Sequence, residues 1–65
     1  MTEAQAAWLR KLRDEGPQHF NTARHDCRDW RHCYIAEWAD FDANDDDFIT
    51  PAGLAALAEH EEKGK

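Results

Sequence analysis

The sequence predicts a small α+β domain, and three observations carry that reading. Two N-terminal segments place apolar residues at helical spacing. An aspartate-rich stretch between two short aromatic runs has the composition of a hairpin turn. A Thr-Pro pair then opens a third helical segment. The expected order is helix, helix, strand, turn, strand, helix, in a single domain over residues 1–65.

The first helix is predicted over residues 3–15. Thr2 is placed as its N-cap, and Gln5 stands three residues later, the spacing of a capping box. Ala4, Trp8, Leu9 and Leu12 recur on one face, and Arg10, Lys11 and Arg13 suit the negative C-terminal end of the helix dipole. Gly16 and Pro17 stop it, and "GPQHF" reads as a short connector. Asn21 is a good N-cap for a second helix over residues 22–33, with Phe20 in the staple position before it. Ala23, Cys27, Trp30 and Tyr34 fall at steps of four, three and four, which makes one buried stripe. Arg24, Arg28 and Arg31 repeat those steps on a neighbouring stripe. His25, Asp29 and His32 form the next.

The chain then changes character. Tyr34 to Phe41 favours a strand, Asp42 to Asp46 a turn, and Asp47 to Thr50 the returning strand. Thr50 caps a third helix over residues 51–62, with Pro51 in the first helical position. Leu54, Leu57 and Ala58 define its apolar face. Gly53 inside the first turn costs about 1 kcal/mol relative to Ala, so a close backbone approach is expected there.

A chain of 65 residues buries only about 60% of its unfolded surface, so its three Trp, three Phe and one Tyr matter for the core. No apolar run approaches the ~20 residues that span a bilayer, and no basic-plus-apolar leader precedes the first helix. The expectation is a cytoplasmic protein without a membrane partner. Cys27 and Cys33 lie about 120° apart on a helix, which disfavours a bridge and predicts two reduced thiols. Charge is divided between the halves. Residues 1–33 hold five acids against six bases, and residues 34–65 hold nine acids against two bases. The net charge of −6 is thus the balance of +1 and −7. Such asymmetry bears on partners rather than on fold.

"DANDDDFITPAG", residues 42–53, admits a second reading as a calcium loop. In the EF-hand pattern Asp42, Asn44 and Asp46 take the first three ligand positions, and Phe48 supplies the backbone carbonyl. Ile49 falls where that family carries an apolar residue. Against this, Asp47 replaces the glycine of the sharp turn, and Gly53 stands where a bidentate Glu is required. The degenerate EF-hand is therefore an alternative to the hairpin, and no cofactor is expected.

"FITPAGLAALAEH" resembles the end of a winged-helix domain, where a last wing strand runs into a helix start. "NTARHDCRDWRHCYIAEW" resembles the recognition helix and first wing strand of short prophage-type proteins. The resemblance spans residues 21–60, and more loosely residues 3–15. It implies a small winged-helix-like fold of two helices, a hairpin wing and a C-terminal helix, with a phage or mobile-element origin. It also implies a DNA-binding regulator as one function, through Asn21, Thr22, Arg24, Arg28 and Arg31. The wing tip departs from that family by carrying Asp42, Asp45, Asp46 and Asp47 in place of bases. Seven net negative charges in the second half oppose the counterion release that drives DNA affinity.

The favoured function is accordingly an acidic, non-catalytic interaction module that binds a host protein, inhibiting a nucleic-acid-binding defence complex in the manner of an anti-CRISPR. Its contact residues are expected to be Asp42, Asp45, Asp46, Asp47, Trp38, Phe48, Glu59 and Glu61, with complementary charge speeding association. Catalysis is not expected, because His25 points about 200° away from Cys27 on the same helix. A metal held by His25, Asp29 and His32 would sit on one open helix face with poor enclosure. A homodimer is compatible with a chain this small, which gains core by pairing.

Overall fold

The computed structural model describes residues 1–19 and 30–63. Among these, helix α1 (Glu3–Glu15) is followed by strand β1 (Gln18–His19), helix α2 (Trp30–Ile35), strands β2 (Ala39–Phe41) and β3 (Asp46–Ile49), and helix α3 (Pro51–Lys63). The strands form one antiparallel sheet in the order β1-β3-β2. The α+β class follows the sequence expectation, with three helices among the described residues.

The predicted capping box is formed. Gln5 N donates to Thr2 Oγ1 at 3.1 Å, and Thr2 N donates to Gln5 Oε1 at 2.8 Å. This reciprocal pair satisfies two N-terminal N–H groups and turns Gln5 inward. The buried face of α1 is consequently Gln5, Ala6, Trp8, Leu9 and Leu12, while the expected Ala4 is exposed. Gly16 ends the helix at φ 85, a conformation that glycine adopts without a Cβ penalty.

The connector expected after α1 contains β1. Gln18 pairs with Asp47 and His19 with Asp46. Two residues offer no period to read, so this strand exists only because β3 presents a ladder for it. β3 thereby becomes the central strand.

Helix α2 ends two residues beyond the end expected for the second helix, and the first hairpin strand shrinks to Ala39–Phe41. The β-favouring run at Tyr34 and Ile35 is overridden by packing. Helical continuation puts Cys33 fully inside and lays the Tyr34 ring edge-on to Trp8 at 6.1 Å and to Trp30 at 5.6 Å. The helix closes in a Schellman motif: Trp38 N donates to Cys33 O at 2.8 Å and Glu37 N to Tyr34 O at 3.0 Å. Glu37 occupies the left-handed position at φ 63, and the Trp38 ring folds back onto His32 at 5.5 Å.

β2 and β3 pair Ala39 with Ile49, Asp40 with Phe48 and Phe41 with Asp47. The turn between them is a three-residue loop. Asp45 N donates to Asp42 O and Asp42 N to Asp46 O, both at 3.1 Å, with Asp45 at φ 61. Thr50 then caps α3, accepting from Gly53 N at 3.0 Å and donating its hydroxyl to the Glu37 carbonyl.

Gly53 is buried, and a Cβ there would lie 1.9 Å from the Trp38 carbonyl oxygen. That approach rotates α3 so that Gly53 and Leu57 face inward while Leu54 and Ala58 face out, a correction to the predicted stripe. The core joins Ala6, Trp8, Leu9 and Leu12 of α1 to Cys33, Ala39 and Leu57, with Trp30, Tyr34, Trp38 and Ile49 packed at its margin. Cys33 is fully buried; Cys27 lies outside the described residues.

Candidate interaction surface

The hairpin tip gathers part of the predicted acidic set. Asp42 holds the turn, its Oδ1 accepting from Asn44 N at 2.9 Å and Asp46 N at 3.1 Å. Asp and Asn tolerate the left-handed region better than most residues, which lets Asp45 take that position without a glycine. Asp42 and Asp45 are exposed and Asp46 is half-buried. Among the described residues none of these three forms a salt bridge.

Asp47 does not belong with them. It is fully buried on β3, where it accepts a hydrogen bond from the Tyr34 hydroxyl. The alternation of faces along β3 puts the Asp47 side chain on the same side as Ile49, which packs against the core. A buried carboxylate is retained where donors satisfy it. Its role is structural, and it is not a contact residue of the tip.

The calcium alternative gains no support from this geometry. The Asp42 oxygen that would face an ion takes two backbone N–H groups, and the Asp46 and Phe48 backbones lie in a sheet. Among the described residues no group of three His, Cys, Asp or Glu is arranged to hold a metal.

The remaining predicted contacts separate. Trp38 is half-buried against the core and lines a hollow of about 210 Å³ with Met1, Ala56, Glu59, His60 and Lys63, which brings Trp38 and Glu59 together. Phe48 is half-buried on the sheet face opposite Asp47 and Ile49. The acids of α3 are paired within the chain: Glu59 meets Lys63 at 3.2 Å, and Glu61 meets Arg13 Nη1 at 2.6 Å. Arg13 also binds Asp14 at 2.7 Å. Hydrogen bonds to Asp14 and Glu61 raise the Arg13 pKa, and the bond from Arg13 lowers that of Asp14. Glu61 and Arg13 thus tie α3 to α1 and are weaker candidates for a partner than their sequence positions suggest.

Of the alternative DNA set, Asn21, Thr22, Arg24 and Arg28 lie outside the described residues, as do His25 and Asp29 of the metal alternative. Arg31 is exposed, its guanidinium 5.4 Å from the centre of the Trp30 ring.

One feature escaped the sequence reading. A groove of about 490 Å³ runs between β2 and the start of α3, lined by Tyr34, Glu37, Ala39, Asp40, Phe41, Thr50, Pro51 and Ala52. Phe41 is 56% exposed, its ring 5.9 Å from that of Tyr34. As the last strand residue before an acidic turn, Phe41 carried no sequence signal distinguishing it from a core aromatic. No described helix is long and apolar enough to cross a membrane. No protein-family model, curated protein or solved structure matches the chain.

Proposed function

We propose that this protein is a small, acidic, non-catalytic module that binds a basic surface of another protein through its β2–β3 hairpin. One observation carries the reading: Asp42, Asp45 and Asp46 crowd a single turn and form no salt bridge among the described residues, whereas Glu59, Glu61 and Asp14 are each paired within the chain. A like-charged turn is unfavourable in isolation and is relieved by a cationic partner. The winged-helix reading is supported by a helix leading into a hairpin, with a further strand from between the first two helices completing the sheet. In that reading the hairpin is the wing, and its charge favours a basic protein over a duplex. Inhibition of a nucleic-acid-binding complex is the expected consequence where the basic surface is itself a nucleic-acid site.

The test is capture from a nuclease-treated host lysate with tagged protein, identified by mass spectrometry. The wild type is expected to retain one protein stoichiometrically. The triple variant Asp42→Asn, Asp45→Asn, Asp46→Asn is expected to lose it while keeping the wild-type circular dichroism spectrum. Asp47 is left intact because it is buried. Absence of any stoichiometric protein partner would overturn the proposal.

A further inference from the structure

The groove beside β2 is continuous with the hairpin tip, since β2 leads from one into the other. Its chemistry is selective. Glu37 and Asp40 supply two carboxylates, and among the described residues no lysine or arginine lines it. The neighbouring N-terminus of α3 offers little opposing positive potential. Pro51 has no N–H, Gly53 N donates to Thr50 Oγ1, and Leu54 N to Thr50 O. The open Phe41 ring, backed by Tyr34, lines the same groove as these carboxylates. A cation over an aromatic face, flanked by carboxylates, is a favourable arrangement, and a planar guanidinium suits it better than an ammonium.

Glu37 adds an independent sign. It sits at the left-handed closing position of the Schellman motif, where Gly is the usual residue and an ordinary side chain is strained. The side chain kept at that cost is a carboxylate on the groove. Strained residues that persist cluster at binding sites.

We propose that the groove receives an arginine side chain from an extended basic segment of the partner protein, the guanidinium stacking on Phe41 beside Glu37 and Asp40. Asp40 Oδ1 accepts from Phe41 N at 2.8 Å, which holds its carboxylate at the strand edge beside the ring. A second copy of this chain fits poorly, because its residues 34–65 carry −7 and would bring like charge to the site. This inference rests on the acidic-module reading and adds to it the side-chain chemistry of the partner.

The test is a ¹⁵N-HSQC titration of the full chain with a blocked nonapeptide alternating Arg and Ala, compared with its Lys and Glu counterparts. Saturable shifts are expected at Glu37, Asp40, Phe41, Thr50 and Ala52. The Arg peptide is expected to bind about two- to fivefold tighter than the Lys peptide, and the Glu peptide not at all. Phe41→Leu, which keeps apolar volume without a π face, is expected to remove the Arg-over-Lys preference. Glu37→Gln is expected to weaken the Arg peptide severalfold with no shift in unfolding midpoint. Equal binding of Arg and Lys peptides, a silent Phe41→Leu, shifts confined to residues 42–46, or a dimer perturbing the same resonances would each overturn the proposal. The lysate capture separates the two ideas. Loss of the partner in the tip variant but not in Phe41→Leu sinks the groove alone, and capture of nothing sinks the acidic-module reading.

Discussion

Glu37 and Asp45 share a backbone state for different reasons. Asp45 closes a three-residue loop, and Asp tolerates its left-handed turn position. Glu37 is a long side chain in a place built for glycine. Glu37→Gly is therefore expected to stabilise the fold by about 1 kcal/mol, read as a higher urea midpoint at unchanged slope. The same change should weaken the arginine peptide, so stability and binding move in opposite directions at one residue. Tyr34 shows the reverse economy of function. Its ring meets Trp8, Trp30 and Phe41 edge-on, and its hydroxyl serves the buried Asp47. Tyr34→Phe keeps the ring and removes a donor to a buried carboxylate, so a loss of about 1.5–3 kcal/mol is expected by urea denaturation.

At the scale of elements, junctions decide more than interiors. The start of α3 is fixed three ways at once: Thr50 caps it, the Thr50 hydroxyl reaches the Glu37 carbonyl, and Gly53 lets the Trp38 carbonyl approach. Gly53→Ala tests this sharply. Helix propensity alone favours Ala by about 1 kcal/mol. Overpacking against a backbone oxygen 1.9 Å away opposes it. Net destabilisation of about 2–3 kcal/mol is expected, measured by thermal or urea unfolding. A stabilised Gly53→Ala variant would mean that α3 docks differently. The sequence marked Gly53 as a close approach, yet it misassigned the inward face of α3, because the partner across the gap was not visible along the chain. The limits of α1 were legible from Thr2, Gln5 and Gly16, whose chemistry is local. The end of α2 was not, since Tyr34 and Ile35 favour strands and only the core holds them helical.

Across the whole molecule, charge has two separate fates. Asp14, Glu59 and Glu61 on the helices are held in pairs within the chain, including the Arg13–Glu61 link between α1 and α3. Asp14, hydrogen-bonded to Arg13, has a folded pKa below its unfolded value. Its contribution to stability is present above the unfolded carboxylate range and is lost as pH falls through the folded value. Asp14 is exposed, so the effect is small. Urea midpoints of wild type and Asp14→Asn should converge as pH drops below about 4. In the proposed function the exposed tip acids, Asp42 and Asp45, are the ones that meet the partner. Association with the captured partner is expected to slow as salt rises from 50 to 500 mM, and the tip triple variant should flatten that dependence in stopped-flow measurements.

What the sequence determined by itself is local or additive: the capping box, the helix stops, the aspartate turn, the Thr-Pro helix start and the division of charge between the halves. Each depends on residues a few positions apart or on a sum over many. What only the tertiary structure decided is relational. Gln18 and His19 become a strand because β3 lies beside them, Asp47 is buried because it shares a face of β3 with Ile49, which packs against the core, and Phe41 is exposed because α3 leaves a groove. These outcomes turn on which surfaces meet across long separations in sequence, and no spacing within a short window encodes that.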